Sequence, residues 1–295
     1  CGGALAVPNT PGNFIVSDSD GITSEYSRAG NPPSATLERT FAELSGITSI
    51  AVSPKTGNFF AVDGTKLYMI NAITGAVTTI TNSKFNQPTD IAFASNGRLY
   101  ITNRGTNTVL EMLVEVEGLP PYVLKSNIGS GYLTNPTGLT FGTSQAYVTT
   151  GAGSSAADGI VVLNNTFGYV TTLSVAGLSN PGGLAYADNG NLYVANTGGN
   201  NVLEVNPATG AVVRIFQGTL ANPLNSPRNV AILDNGNLLV TSLSGLLEFD
   251  DVTGQVVKTY ALGPTVGIAT IVPEPVSLAL LGLGLAGLAC RRRRK

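Results

Sequence analysis

The sequence contains no histidine and no tryptophan, and only 12% of its 295 residues are charged. The absence of histidine excludes Ser-His-Asp and Cys-His catalysis, histidine zinc ligands and histidine general bases. The few charges do not fit a coiled coil or long exposed helices, and 43% apolar residues are too many for a disordered chain. The two cysteines, Cys1 and Cys290, stand near the ends, which excludes a disulfide framework or a four-cysteine metal site in the body.

The charges are unevenly distributed, because the last five residues are all basic. Without this run and Glu274, the chain has 11 basic and 17 acidic residues. An acidic body lacks the basic stripe that nucleic-acid binding requires, so we expect no nucleic-acid partner. Four cations of the body stand apart in the sequence and are expected to be solvated: Lys66, Arg104, Arg214 and Arg228.

The C-terminal segment, 273–295, has three consecutive parts: a Pro-Glu-Pro triplet, an apolar run at 276–290 and a basic tail. The triplet and the tail consist of Pro273, Glu274 and Pro275, and of Arg291, Arg292, Arg293, Arg294 and Lys295. As a helix the run would measure about 22 Å, short of the ~30 Å hydrocarbon core of a bilayer. It could still insert with help from its flanks, leaving the tail cytoplasmic and the body outside. A buried core helix is the alternative, which five consecutive cations disfavour.

These three parts resemble the PEP-CTERM sorting signal of Gram-negative bacteria. The resemblance implies recognition by an exosortase, a membrane transpeptidase. It also implies an exported protein that its C-terminal transmembrane helix anchors in the inner membrane before processing. The final location would be the cell surface or the extracellular space, among polysaccharide and biofilm systems. The tail would then be the substrate of another enzyme and would say nothing of catalysis by this chain.

The first six residues, 1–6, end in Ala4-Leu5-Ala6, a small-residue pattern typical of signal-peptide cleavage sites. We interpret them as the end of a secretory signal peptide or as the N-terminus of a lipoprotein acylated at Cys1. Plain exposed coil is the third alternative. The first two interpretations agree on export.

The body, 7–272, is built from repeats. One phrase begins at Pro88, Pro136, Pro181 and Pro227, with spacings of 48, 45 and 46 residues. A second phrase follows each copy, and an Asn-Gly pair joins the two in three copies, which predicts type I′ hairpins with positive φ at both residues. A third strand follows in each unit, and in three copies a Thr-Gly turn leads from it to a fourth strand.

Four short antiparallel strands per unit at this period predict an all-β, six-bladed β-propeller. Residues 13–41 supply three strands without an innermost strand, and 264–271 supply an innermost strand alone. These fragments complete one blade, so the ring closes in a Velcro manner without an open seam. A short hydrophobic helix would follow at the C-terminus.

The repeat phrases resemble the NHL family and its six-bladed relatives. The stretch at 180–202, which contains Asn-Pro-Gly-Gly-Leu-Ala and Gly-Asn-Leu-Tyr-Val-Ala-Asn-Thr, carries the resemblance best. The family implies a propeller that binds a ligand or partner, although some relatives are lactonases or lyases.

A polar position recurs after the second strand of every blade. Its residues are Asp18, Asp63, Asn103, Thr150, Asn196 and Ser242. This polar ring faces a ligand, or each side chain caps the turn into the third strand. All six are common turn-forming residues, which favours capping.

Asp90 stands at the start of an innermost strand, where it can line the central channel. Ser49, Gly138 and Asn229 hold equivalent positions. A divalent cation would need several converging carboxylates, and among these positions only Asp90 is acidic. We therefore expect no catalytic residue, no metal and no cofactor.

The leading hypothesis is a non-enzymatic, exported propeller that binds a partner protein or a polysaccharide. Tyr122, Tyr132 and Tyr169 lie outside the two repeat phrases and are candidates for stacking on carbohydrate. One alternative is a metal-dependent hydrolase or lactonase of the gluconolactonase-like class. The other is a passive structural component of the extracellular matrix.

Overall fold

The computed structural model describes residues 13–19, 21–29, 34–41, 44–116, 119–151, 153, 158–260 and 262–270. These residues form six antiparallel sheets of four strands each, arranged as blades around a central channel. This architecture confirms the all-β, six-bladed β-propeller.

Blades 1 to 3 contain the first half of the strands in chain order. Blade 1 consists of β1 (Phe14–Asp18), β2 (Thr23–Ala29), β3 (Ser34–Thr40) and the last strand of the chain; blade 2 of β4 (Ser49–Val52), β5 (Phe59–Val62), β6 (Leu67–Ile70) and β7 (Val77–Ile80); blade 3 of β8 (Pro88–Phe93), β9 (Leu99–Asn103), β10 (Thr108–Leu113) and β11 (Tyr122–Ile128).

Blades 4 to 6 follow without a break in the order. Blade 4 consists of β12 (Gly138–Phe141), β13 (Gln145–Thr150), β14 (Gly159–Asn164) and β15 (Tyr169–Leu173); blade 5 of β16 (Pro181–Tyr186), β17 (Leu192–Asn196), β18 (Asn201–Val205) and β19 (Val212–Gln217); blade 6 of β20 (Asn229–Ile232), β21 (Leu238–Ser242), β22 (Gly245–Phe249) and β23 (Val256–Tyr260). Strand β24 (Thr265–Thr270) completes blade 1, and 3₁₀ turns at Arg104–Thr106 and Thr197–Gly199 follow β9 and β17.

The ring closes between the two ends of the described chain. Strand β24 pairs antiparallel with β1, with Phe14 opposite Thr270 and Val16 opposite Ile268. Blade 1 is therefore built from both ends, as the two sequence fragments predicted. Because β24 is the innermost strand, closure leaves the channel wall continuous.

The Asn-Gly turns differ from the predicted type I′ geometry. Gly97, Gly190 and Gly236 have positive φ, but the asparagines before them do not. In the first turn, Gly97 N–H donates to Ala94 O, and Ala94 N–H donates to Arg98 O. These bonds define a type I turn followed by a left-handed glycine, which also connects adjacent strands with the correct twist. The type I′ prediction is therefore wrong.

The hydrophobic core lies between neighbouring blades rather than in one central mass. Six clusters of buried apolar side chains fill the six interfaces, each with residues of two adjoining sheets. At one interface, for example, Tyr100 and Val109 of blade 3 pack with Leu139 and Val148 of blade 4. Successive side chains of a strand point to opposite faces of its blade. Because both faces pack against neighbouring blades, a strand such as β5 is buried along its whole length.

Several predicted segments lie outside the described residues. They are 1–6, the triplet Pro273, Glu274 and Pro275, the apolar run 276–290 and the basic tail 291–295. Within the described ranges, no helix has the length and apolar character needed to cross a membrane.

Candidate functional site

Six equivalent residues, one from each innermost strand, narrow the channel. We call them the constriction: Ser49, Asp90, Gly138, Gly183, Asn229 and Gly267. A Cβ atom at Gly183 would lie 2.1 Å from Asn229 Oδ1, so glycine there leaves the space that the Asn229 side chain occupies. A Cβ atom at Gly138 would lie 2.6 Å from Gly182 O, so glycine there permits the close approach of the blade 5 backbone.

Asp90 is the centre of the constriction. The Ser49 hydroxyl and the Asn229 side chain donate to its carboxylate, and Leu139 N–H donates to Asp90 Oδ2 at 2.7 Å. Asp90 is 5% exposed. Burial raises the pKa of Asp90 to about 6, although the hydrogen bonds from Ser49 and the Leu139 N–H act to lower it. The carboxylate thus links its own blade to blades 2, 4 and 6.

The sequence placed Asp90 in the channel together with three equivalent residues, and the structure brings these residues together. All six residues of the constriction hold the same position in the repeat, so aligning the six phrases would have identified all of them from the sequence. Cavities lie on both sides of the constriction, with volumes of about 240 Å³ and about 310 Å³. Both cavities are lined in part by Asp90 and Asn229.

The smaller cavity, which we call the channel mouth, is polar and carries two cations. Arg104 lies in the 3₁₀ turn after β9, and Arg228 directly precedes β20. Both line the cavity, together with Asn180 and Thr197. Sequence reasoning regarded these arginines only as isolated, solvated cations. Arg228 holds the repeat position of Thr48, Thr89 and Thr137, a signal that could have located it.

Threonine hydroxyls tie the blades together around the channel mouth. Thr89 Oγ1 donates to Pro136 O at 3.0 Å, and Thr137 Oγ1 donates to Pro181 O at 2.7 Å. Thr197 Oγ1 donates to Pro227 O at 2.6 Å. Each bond connects one blade to the next, so the rim is rigid. Because these hydroxyl protons are engaged, the Arg228 guanidinium is a charged donor that the cavity offers to a ligand.

The six residues of the predicted polar ring bond within the fold. Asp18, Asp63 and Ser242 accept backbone N–H groups of the turn that follows them. Asn103, Thr150 and Asn196 instead accept backbone N–H groups from the loop that leads into the innermost strand of the same blade. Capping of the turn into the third strand is therefore present at Asp18, Asp63 and Ser242, whereas the other three side chains hold a different loop; a role in ligand contact stays a prediction.

Asp63 shows the electrostatic consequence of such a cap. Burial acts to raise its pKa, but hydrogen bonds from the Tyr68 hydroxyl, at 2.6 Å, and from Thr65 outweigh this effect and lower it. Tyr68 in turn has its pKa raised to about 12 by partial burial and by Asp63. This carboxylate is stabilised in its charged form, in contrast to Asp90.

No group of three or more His, Cys, Asp or Glu side chains placed to hold a metal ion is found among the described residues. Asp90 is surrounded by a hydroxyl, an amide and a backbone N–H, which are donors to a carboxylate. The donor set therefore suits an enclosed hydrogen-bonded acid better than a cation ligand.

The terminal segment and the repeat phrases match two family models. The PEP-CTERM protein-sorting motif matches residues 272–294, and the NHL repeat matches residues 85–111. The chain carries a PEP-CTERM sorting motif on an NHL-type propeller. The motif implies that this PEP-CTERM protein is exported, sorted by an exosortase and directed to the cell surface. No curated protein matches the chain in sequence.

Solved structures share the fold of this PEP-CTERM protein at low sequence identity. A chain of the nidogen–laminin complex has a TM-score of 0.72 and 17% identity, covering 90% of this chain and 100% of that chain. A putative gluconolactonase has a TM-score of 0.61 and 12% identity, covering 78% of this chain and 83% of that chain. Streptogramin B lyase has a TM-score of 0.52 and 14% identity, covering 84% of this chain and 73% of that chain. At these identities the similarity shows the fold alone.

Proposed function

We propose that this protein is an exported cell-surface module whose propeller binds an anionic group of a polysaccharide or a partner protein at the channel mouth. The observation that carries the proposal is the pair of arginines, Arg104 and Arg228, at the rim of a polar cavity closed at its base. The planar guanidinium group binds carboxylates through paired hydrogen bonds. Propellers of this fold occur in protein complexes, as in the nidogen–laminin complex, which makes a protein partner a candidate beside a polysaccharide.

Replacement of Arg228 tests this proposal. We expect Arg228→Ala to weaken binding of the full-length chain to alginate, a uronate polymer, by about tenfold, because one charge-assisted contact is lost. Arg214→Ala is the matched control, since it removes the same charge from β19, where Arg214 bonds to Val252 O at 2.7 Å. Isothermal titration calorimetry at low ionic strength measures the affinity of each variant for alginate. Equal affinities for the two variants would contradict the proposal.

The domain boundaries and the fate of the tail belong to the same proposal. We place the propeller at 7–272 and the sorting signal at 273–295, with a membrane anchor at 276–290 before processing. Mass spectrometry of the mature C-terminus from the native host tests this arrangement. Loss of everything beyond the triplet at 273–275 supports a processed signal. An intact Lys295 would mean that the propeller stays tethered to the membrane.

A metal-dependent hydrolase is the second candidate, because Asp90 lies in the channel and one fold neighbour is a putative gluconolactonase. This candidate predicts that calcium, magnesium or zinc raises the melting temperature of EDTA-treated protein, since a ligand of the folded state stabilises it. Differential scanning calorimetry measures the shift. No shift with any of the three ions excludes this candidate.

A further inference from the structure

Two exposed tyrosines stack on each other near the outer edge of the propeller. Tyr132 follows β11 and Tyr169 begins β15, which are the outermost strands of blades 3 and 4. Their ring centroids lie 4.3 Å apart and their planes differ by 10°. The side chains are 54% and 43% exposed. Aromatic surface exposed in this way marks an interaction site more often than a scattered single residue does.

Tight turns hold both tyrosines in place. Tyr132 N–H donates to Gly129 O at 3.0 Å, and the adjacent Leu133 is buried in the core between blades 3 and 4. On the other side, Asn164 Oδ1 accepts the N–H groups of Thr166 and Gly168, both at 2.9 Å. The pair is therefore ordered before a ligand arrives, which lowers the entropic cost of binding.

A cavity of about 350 Å³ adjoins the stacked rings. Its lining includes the polar side chains of Asn127, Ser130 and Thr166, and one charged residue, Lys125. The Lys125 ammonium lies 3.5 Å from Glu111 Oε2, a carboxylate that Arg98 also contacts through Oε1. The cavity thus combines aromatic surface with neutral hydrogen-bonding groups.

We propose that Tyr132 and Tyr169 form a carbohydrate-binding shelf for a neutral polysaccharide, separate from the channel mouth. A pyranose ring presents a face of C–H groups that packs against an aromatic ring, while its hydroxyl groups bond to polar side chains at the edge. Asn127, Ser130 and Thr166 supply those polar groups. Because the hydrogen-bonding side chains of Asn127, Ser130 and Thr166 carry no charge, they suit the hydroxyl groups of a neutral sugar.

Affinity electrophoresis of the full-length chain tests the shelf. The gels contain hydroxyethylcellulose, xylan, galactomannan, dextran or a β-1,3-glucan as neutral probes. We expect at least one polymer to retard the protein. Tyr132→Ala and Tyr169→Ala should each weaken that binding by about tenfold, and Tyr169→Phe should retain it because the ring remains. Tyr122→Ala is the matched control, since it removes an exposed tyrosine of β11 that lies outside the stacked pair.

Arg228→Ala should leave the retardation unchanged, which separates the shelf from the channel mouth. Retardation by none of the polymers would overturn the shelf, as would unchanged binding in alanine variants that melt like the wild type. Should an alanine variant fail to fold, Tyr132→Leu keeps apolar volume without an aromatic face. Full binding by that leucine variant would also overturn the proposal.

Discussion

At the residue scale, Asp90 makes the stability of the propeller depend on pH. Its pKa is about 6 in the fold, against an ordinary value of 3.8. Above pH 6 the folded state holds a buried charge that the unfolded chain solvates, which costs on the order of 3 kcal/mol. As the pH falls from 7.5 to 5, the folded protein takes up a proton first. The contribution of Asp90 therefore makes the protein more stable on mild acidification.

We expect Asp90→Asn to remove this dependence. The difference in unfolding free energy between wild type and variant should change by about 1.4 kcal/mol between pH 7.5 and 5, because the full ~3 kcal/mol is regained only below pH 3.8. Urea denaturation at several pH values measures it. Asp63→Asn is the control, because the lowered pKa of Asp63 leaves it ionised in both states throughout this range. A pH-independent difference for Asp90→Asn would contradict the assignment of a raised pKa.

The repeat phrases predicted where residues lie in the blades, but not the role of every residue. The position of Asp90 in the channel followed from its place at the start of an innermost strand. Arg104 lies in a 3₁₀ turn that recurs in blade 5 at Thr197–Gly199, yet its contribution to the channel mouth was missed. The Asn-Gly pairs led to the wrong type I′ prediction because two turn types use the same dipeptide. They differ in which of the two residues adopts positive φ. The pairing of Tyr132 with Tyr169 depends on the contact between two blades.

At the element scale, buried glutamates recur on the third strand of four blades. They are Glu25, Glu111, Glu204 and Glu248, each at most 4% exposed. The residue that starts the second phrase donates to the glutamate of the same blade: Asn13, Arg98, Asn191 and Asn237 respectively. In blades 2 and 4 the third-strand position holds Met69 and Val162. The donor and the carboxylate thus form one unit inside a blade.

Asn237→Ala should be destabilising, because it removes the 2.6 Å amide bond to Oε1 of the fully buried Glu248, whose Oε2 accepts from the Tyr260 hydroxyl at 2.6 Å. We expect a loss of about 2 to 3 kcal/mol in unfolding free energy. Asn191→Ala should lose only about 1 kcal/mol, because Asn189 Nδ2 also lies 3.3 Å from the Glu204 carboxylate. Urea denaturation compares the two. Equal losses would show that the second donor has no protective effect.

At the scale of the whole molecule, stability depends on closing the ring. Phe14 and Ile15 of β1 are fully buried, and β24 covers the inner edge of that strand. A chain that ends at Gly263 lacks β24 and exposes an apolar strand edge, so we expect aggregation and no cooperative melting transition. A chain that ends at Ile271 is the matched control. It should melt within a few degrees of the full-length protein by circular dichroism, and a large drop would contradict the boundary at 272.

The constriction also decides what shape of molecule the channel mouth can accept. Ser49, Asp90 and Asn229 meet across the axis and close the channel. A polymer chain therefore cannot pass through the propeller from one side to the other. Whatever enters must have an end, a branch or a side group short enough to stop at the floor, and it must leave the way it came. For a polymer that offers only its ends, occupancy would then scale with the number of ends, so cutting a long chain into many short ones would multiply the ligands without adding mass.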